Sequence, residues 1–242
     1  MSTLFISDLH LNANEPELIK LAVDFLKTKA IDCKKLYILG DLFNIWLGDD
    51  LIAEEFMPVI EQLQLLHQQG IRTYLMVGNR DFMMGKEVAN LMGAELLGDA
   101  CVIDLYGTKT LLLHGDTLCT DDIAYQRYRR WSRNKLLQWL FRHMPLKYRQ
   151  GLANKIKLKS RQQKQTKSTV IMDVNASEVS RVMTKFDVTQ LIHGHTHRPA
   201  THTLEISGKS ATRIVLGDWH SEASYLQCGE KQQQLVDPRI SN

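Results

Sequence analysis

Three histidines alternate along one short stretch of the sequence and raise the question of a metal site. The stretch LIHGHTHRPA (residues 191–200) contains His193, His195 and His197. Alternate residues of an extended strand point to the same side, so the three imidazoles could converge on one point. There they could hold a metal, share a proton, or pack in a core.

Other residues of metal-binding types follow four further predicted strands. They are Asp8 and His10 in SDLH, Asp41 in GDLF, Asn79 in GNRD, and His114 in LLHGD. Ligands commonly gather beyond the carboxyl ends of strands in open α/β sheets. Mixed nitrogen and oxygen donors favour Mn²⁺, Fe²⁺ or Zn²⁺ over Ca²⁺. Together with His195 and His197 these residues suffice for two ions, which ~3.5–4 Å apart can clamp a phosphoryl group and activate water.

The ordered blocks D-x-H, G-D, G-N and G-H-x-H resemble those of the calcineurin-like metallophosphoesterases, and the match runs from residue 8 to residue 197. The resemblance implies an α/β fold in which a two-sheet β-sandwich is flanked by helices. It implies one metal held by Asp8, His10, Asp41 and His197. It implies a second metal held by Asp41, Asn79, His114 and His195, with Asp41 bridging. His193 is then left over, and we expect it to be buried and hydrogen-bonded behind the ligands.

One residue departs from the pattern of many phosphatases in this family. They read G-N-H-[DE], whereas this sequence reads GNRD with Arg80 in place of the histidine. Arginine is a poor general acid but a good bidentate clamp on phosphate. A phosphate monoester, with a second pKa of about 6, leaves readily as an anion without a proton. We therefore predict cleavage of a pyrophosphate bond with Arg80 as a catalytic residue, and the resemblance implies Asn79 and His195 as the other catalytic residues.

Residues 123–167 form a strongly basic segment. It contains 14 Lys or Arg and no Asp or Glu, whereas the rest of the chain has 30 − 14 = 16 basic and 27 acidic residues. The apolar run LLQWLF (136–141) is flanked by Arg133, Lys135 and Arg142, an amphipathic basic pattern suited to a lipid interface. A plain solvated helical face is the alternative. We interpret the segment as a helical lid inserted in a single domain that spans residues 1–242.

The resemblance extends to a branch of the family that hydrolyses an acylated UDP-sugar with two Mn²⁺ ions. It implies that helices in the basic segment cap the site and bind the lipid. The substrate contacts it implies are Asn79, Arg80, Asp122, Ser160, Lys164, Lys167 and His195. It also implies a peripheral protein on the cytoplasmic face of the bacterial inner membrane. We expect a monomer that binds no nucleic acid. A nuclease of the same fold and a non-catalytic scaffold are the alternatives.

The elements that must position these residues follow a strand–helix rhythm in the first part of the sequence. We predict strands over 3–7, 35–40 and 71–78, and helices over 16–30, 51–69 and 85–93. A hairpin over 101–115, a helix over 175–186, a strand over 188–194 and a hairpin-like tail turning at 207–208 follow. This order fits two sheets with helices outside them better than one sheet.

The composition of the sequence also bears on the cellular compartment of the protein. No stretch approaches the roughly 20 apolar residues that cross a bilayer, and the N-terminus shows no basic leader. The four cysteines, Cys33, Cys101, Cys119 and Cys228, have no framework spacing, which predicts reduced thiols in a cytoplasmic protein. Asp116 follows His114 on the same loop, where it could orient a ligand histidine or cap a turn.

Overall fold

The computed structural model describes residues 2–152 and 173–240. The strands are β1 (Ser2–Ile6), β2 (Cys33–Leu39), β3 (Arg72–Met76), β4 (Ala94–Leu96), β5 (Ala100–Leu105), β6 (Thr108–Leu113), β7 (Gln190–His193), β8 (Ala200–Ile206), β9 (Lys209–Val215), β10 (Tyr225–Cys228) and β11 (Gln233–Val236). The helices are α1 (Pro16–Thr28), α2 (Met57–Gln68), α3 (Lys86–Leu91), α4 (Ile123–Ser132), α5 (Lys135–Arg142), α6 (described over residues 146–152) and α7 (Ala176–Phe186).

The strands form two mixed sheets. The first has the order β11-β10-β1-β2-β3-β4, with β1 to β4 parallel, and the second has the order β5-β6-β7-β9-β8, with β6, β7 and β9 parallel. The parallel strands of each sheet end in loops at one edge, which is where the predicted ligands follow. The prediction of a two-sheet α/β fold is confirmed.

Buried apolar side chains fill the space between the sheets and the space under the outer helices. Along β1, Phe5 faces the second sheet, whereas Leu4 and Ile6 face the layer of α1, α2 and α3. This alternation follows from the two-residue period of a strand, and it makes both faces of β1 apolar. The second sheet is covered on its outer face by α7, which contributes Val179 and Met183.

The helix predicted over 51–69 is shorter than expected, since residues 51–53 lie in a loop and Glu54–Phe56 form a 3₁₀ turn. The loop before residue 51 has a structural role of its own. The indole Nε1 of Trp46 donates to Oδ1 of Asp49 at 2.9 Å. The same carboxylate accepts from the backbone N–H groups of Gly85 (3.0 Å) and Val88 (3.2 Å) at the start of α3. The loop therefore ties α3 in place, and the α-helical part of the segment begins only at Met57.

The C-terminal tail consists of two hairpins in different sheets. The predicted turn at Ser207–Gly208 joins β8 and β9 in the second sheet. Strands β10 and β11 then return to the first sheet, where β10 pairs antiparallel with β1. This return brings the end of the described chain back towards the loops that follow β1.

The basic segment begins with two capped helices. Asp122 caps α4 by accepting from the N–H of Tyr125 at 3.0 Å, and Asn134 caps α5 by accepting from the N–H of Leu136 at 3.0 Å. Residues Ser160, Lys164 and Lys167, which are predicted substrate contacts, lie outside the described residues.

Candidate metal centre

Most of the predicted ligands have an unusual backbone conformation. The residues with φ between 52° and 71° in this region are Asp8, His10, Asp41, His195 and His197. A left-handed conformation costs a non-glycine residue about 1 kcal/mol or more. Backbone hydrogen bonds between the loops hold it: the Asp8 N–H donates to the Gly40 carbonyl at 3.0 Å, and the His10 N–H donates to the Asp41 carbonyl at 2.9 Å. Strain of this kind, gathered at one edge of the molecule, indicates a functional site.

A first cluster consists of Asp8, His10 and His197. The Nε2 atoms of the two histidines are 3.1 Å apart. Oδ1 of Asp8 lies 3.3 Å from Nε2 of His197 and 3.8 Å from Nε2 of His10. Oδ1 of Asp8 and Nδ1 of His10 are buried and make no hydrogen bond within the described residues. Oδ1 of Asp8 faces Nε2 of both histidines, and such a group of oxygen and nitrogen donors fits a bound cation.

A second cluster lies around Asp41. Its Oδ2 is 3.7 Å from Nδ1 of His10 and 3.8 Å from Nε2 of His114. Oδ1 of Asn79 is 3.1 Å from Nε2 of His114 and 2.8 Å from Nδ1 of His195. The Leu39 carbonyl, 2.8 Å from Nδ1 of His114, can only accept, so this imidazole donates from Nδ1. In the neutral form of His114, which binding to a metal requires, Nε2 points its lone pair at the Asn79 oxygen, so a cation fits between these two acceptors.

The electrostatics of the two clusters are dominated by buried carboxylates. Burial lowers the pKa of His197, but the adjacent carboxylates of Asp218 and Asp8 outweigh this effect and raise the pKa to about 9. Burial and the neighbouring Asp8 carboxylate raise the pKa of Asp41 to about 6 against the opposing charge of His114. Burial lowers the pKa of His195 to about 3. The carboxylates thus favour positive charge at this edge, which suits a cation.

Two glycines allow the loops to approach this closely. A Cβ atom on Gly78 would lie 2.1 Å from Oδ1 of Asp41, and a Cβ atom on Gly194 would lie 2.2 Å from Oδ2 of Asp8. Any larger residue at either position would displace a predicted ligand.

Asp81 stabilises the same loops, a role that the sequence motifs did not predict. Its buried carboxylate accepts from the N–H groups of Gly78 (2.7 Å), Asp41 (3.3 Å) and Phe43 (3.3 Å). The only signal was its place directly after GNR, where an acidic residue also stands in the family pattern G-N-H-[DE]. The structure shows that this residue joins the loops after β2 and β3.

Arg80 lies at the rim of the centre. Its backbone N–H donates to Oδ1 of Asp41 at 2.7 Å. Among the residues that the structure describes, no hydrogen bond or ion pair engages its guanidinium, which therefore remains available to an anion. Asp122, also a predicted substrate contact, is the residue that caps α4.

His193 and Asp116 do not contribute donors to either cluster. His193 is fully buried, and its Nδ1–H donates to the Gly194 carbonyl at 2.8 Å. Within the part of the chain that the structure describes, the carboxylate of Asp116 neither orients a histidine nor caps a turn. Its Oδ2 accepts from the Tyr125 hydroxyl at 2.6 Å and from Nε of Arg129 at 2.8 Å, both on α4.

A family model of calcineurin-like phosphoesterases matches residues 1–199, and the chain belongs to this family. A curated relative from Histophilus somni (strain 129Pt), named UDP-2,3-diacylglucosamine hydrolase, is 49% identical over 97% of this chain and 99% of its own length. A relative of the same name from Pseudomonas aeruginosa (strain UCBPP-PA14) is 49% identical over 94% of this chain and 95% of its own length.

A solved structure supports the fold. The structure of an archaeal phosphodiesterase superposes with a TM-score of 0.50 at 12% identity, covering 98% of this chain and 99% of that one. The family and the donor set together imply divalent metal ions at this centre. Within residues 2–152 and 173–240, no helix is long and apolar enough to cross a bilayer.

Proposed function

We propose that the protein hydrolyses the pyrophosphate bond of UDP-2,3-diacylglucosamine, giving UMP and 2,3-diacylglucosamine 1-phosphate. The observation that carries this proposal is the 49% identity to hydrolases of that name over nearly the whole chain. The metal centre provides the chemistry, and Arg80 provides the preference for a diphosphate. This reaction is a step of lipid A biosynthesis.

Two Mn²⁺ ions are the proposed cofactor. The first set of ligands is Asp8, His10, Asp41 and His197. The second set is Asp41, Asn79, His114 and His195. A pair of divalent ions supplies charge stabilisation for phosphoryl oxygens and acidifies the attacking water. The support for this assignment is a pair of donor clusters that share Asp8: one is Asp8, His10 and His197, and the other is Asp8, Asp41 and His114. Oδ2 of Asp41 lies between the two clusters, 3.7 Å from Nδ1 of His10 and 3.8 Å from Nε2 of His114.

Arg80 is proposed to bind the diphosphate, with Asn79 and His195 beside it at the reacting phosphoryl group. Its backbone N–H is held by Asp41, so the side chain starts from a fixed position next to the second cluster. Attack falls on the phosphorus nearer uridine, and the lipid phosphate departs as an anion that needs no proton. A guanidinium fits this task, because it clamps phosphate oxygens and keeps its charge.

Helix α5 is proposed to contact the acyl chains or the membrane surface. Its exposed apolar residues, Leu136, Trp139 and Leu140, lie on one face and are 64%, 50% and 48% exposed. On the opposite face, Phe141 packs against the core. Exposed Lys135 flanks the apolar face, a pattern typical of interfacial helices.

Some basic residues of the segment have a structural task instead. Arg133 donates to the Gly78 carbonyl at 2.8 Å, and Arg149 donates to the Leu47 carbonyl at 3.0 Å and pairs with Asp50. These contacts tie the helices of the segment to the body that carries the metal centre.

We propose that residues 123–167 act as a lid within a single domain of residues 1–242. We also propose that Asp122, Ser160, Lys164 and Lys167 contact the substrate.

We propose that the protein works as a monomer. We propose that this monomer binds peripherally to the cytoplasmic face of the bacterial inner membrane and takes no nucleic acid.

The activity test is release of UMP from acylated and deacylated UDP-glucosamine with Mn²⁺ or EDTA present. We expect Mn²⁺-dependent release from the acylated compound and little from the other. Activity confined to unacylated aryl phosphates would replace the proposal with a generic phosphatase, and degradation of RNA would replace it with a nuclease. Failure to bind Mn²⁺ at all would indicate a scaffold.

The membrane proposal is tested by sedimentation with vesicles that contain phosphatidylglycerol. Leu136→Asp and Trp139→Asp should each weaken binding about 10-fold or more, because each removes a side chain that burial in lipid would stabilise by about 1.5–3 kcal/mol. The control is Leu91→Asp, which changes an exposed leucine on α3 outside the segment. Equal binding of all three variants and the wild type would reject this contact surface.

A further inference from the structure

A group of charged side chains lies behind His197, on the side away from Asp8. Asp218 follows β9, and Asp237 and Arg239 follow β11. All three lie beyond residue 199, where the match to the family model ends. The return of β10 and β11 to the first sheet brings them together.

Asp218 is bonded directly to the imidazole of His197. Nδ1–H of His197 donates to Oδ2 of Asp218 at 2.9 Å. This bond leaves Nε2 as the atom that faces Asp8 and His10, at 3.3 Å and 3.1 Å. A carboxylate behind a metal-binding histidine fixes its tautomer and ring orientation and raises its basicity as a ligand.

Arg239 in turn holds Asp218. Its Nη1 donates to Oδ1 of Asp218 at 2.6 Å, and its Nη2 donates to the Asp218 carbonyl at 3.2 Å. Nε and Nη2 also donate to the two carboxylate oxygens of Asp237, each at 2.7 Å. Asp218 and Asp237 are 8% and 5% exposed, whereas the side chain of Arg239 is 39% exposed, so the two carboxylates are buried and the arginine covers them from the surface. One guanidinium thus joins two carboxylates and fixes the orientation of the one that meets His197.

Asp237 and Arg239 pack directly against the backbone of Gly217, which has no side chain to exclude them. A Cβ atom on Gly217 would lie 2.1 Å from Oδ2 of Asp237 and 2.3 Å from Nη2 of Arg239. A side chain there would separate the arginine from its partners. His220 also approaches Asp218, with Nε2 3.0 Å from Oδ2, but its own side chain is 76% exposed.

We propose that Asp218 and Arg239 are positioning residues for the metal centre: they hold His197 in the orientation and tautomer in which Nε2 binds an ion. This inference rests on the proposed two-metal function, and it assigns a role in that function to the C-terminal segment. A purely structural role, in which Arg239 only anchors the tail, would leave metal affinity unchanged.

The test is a calorimetric titration of the full-length, metal-free protein with Mn²⁺ alone. Asp218→Asn should weaken one of the two binding events by about 10- to 100-fold and leave the other near its wild-type affinity. Arg239→Ala should weaken the same event, and Arg239→Lys should fall between Arg239→Ala and the wild type. The matched controls are Asp187→Asn and Arg181→Ala, which each remove one member of a surface ion pair.

Nuclear magnetic resonance of ¹⁵N-histidine-labelled protein gives a second readout. We expect the Nδ1–H signal of His197 to shift or exchange faster with water in Asp218→Asn, and to stay in Asp187→Asn. Wild-type Mn²⁺ affinity in both Asp218→Asn and Arg239→Ala would overturn the inference, even if the melting temperature falls. If Asp218→Asn does not fold, the affinity of Arg239→Ala decides by the same criterion.

The titration contains no nucleotide, so the inference and the proposed function can fail separately. A wild-type protein that binds two Mn²⁺ ions and releases no UMP would refute the function and leave the role of Asp218 to be decided by affinity. Unchanged affinity in both Asp218→Asn and Arg239→Ala, together with a wild type that releases UMP, would refute the inference alone.

Discussion

The ion pair between Asp116 and Arg129 fixes α4 to the loop that carries His114, and its removal should free this helix. Asp116 is 1% exposed, and its Oδ2 accepts from Nε of Arg129 and from the Tyr125 hydroxyl. Burial raises the pKa of the Asp116 carboxyl, but the charges of His114 and Arg129 outweigh it and keep the pKa well below its ordinary value. The group is therefore a carboxylate at neutral pH, and both bonds are charge-assisted.

The expected cost of Asp116→Asn follows from these two bonds. A hydrogen bond to a charged group contributes about 1.5–3 kcal/mol, against about 1 kcal/mol for a neutral one. Neutralising the acceptor of both bonds should therefore cost about 1–4 kcal/mol, or roughly 5- to 900-fold in the equilibrium for opening of α4. Asp99 meets the same arginine from the exposed side at 2.8 Å, and its side chain is 51% exposed. Asp99→Asn should cost at most about 1 kcal/mol, because the pair is screened by solvent.

Hydrogen–deuterium exchange can separate these two effects. Amides in α4 should exchange faster in Asp116→Asn by the factor given above and change little in Asp99→Asn. Amides of β6 report global unfolding and serve as the internal control. Equal exchange of α4 in the two variants would refute the reasoning, since it would mean that burial of the Asp116 carboxylate does not determine how firmly α4 is held.

Three further outcomes are expected. Arg80→Ala should lower kcat/KM for the diphosphate substrate by about 100-fold or more, because it removes a preorganised cation. The Mn²⁺ affinity should not change, because the backbone bond to Asp41 remains. Full activity of this variant would show that Arg80 does not bind the diphosphate. Gly78→Ala should lower UMP release about 100-fold, since its Cβ would push Asp41 aside by roughly 1 Å; a wild-type rate would show that the loop adjusts. In the native protein at pH 8, the half-buried Cys101 should react with a thiol reagent such as DTNB much faster than the three buried thiols, and all four should react after unfolding. Burial raises the pKa of all four thiols, so the difference comes from access of the reagent. Rapid native reaction of more than one thiol would contradict the buried packing.

Much of the candidate centre was predictable because its residues carry a local signal. Asp8, Asp41 and His114 each follow an apolar strand and stand next to a serine or a glycine, and the strand ends lie at one edge of the fold. In the structure, all seven ligands predicted from these signals lie close together. Their roles as ligands stay predictions until a metal titration tests them.

Residues that act on the ligands from behind were not predictable in the same way. Asp81 and Asp218 are single aspartates in loops, and each acquires its role from partners that the chain folding brings from elsewhere. Asp218 depends on Arg239, 21 residues later, and on His197, 21 residues earlier. No periodic pattern connects such positions, so only the folded chain reveals them.

Because His10 has a left-handed backbone conformation, selection for stability and selection for activity should favour different residues at this position. Glycine adopts this conformation without the penalty that a Cβ atom brings, and it would also remove the buried Nδ1 that lacks a partner within the described residues. A library sorted for expression level should therefore enrich glycine at codon 10, whereas sorting for turnover should retain histidine. The difference between the two enrichments of glycine would measure how much His10 lowers the stability of the folded protein.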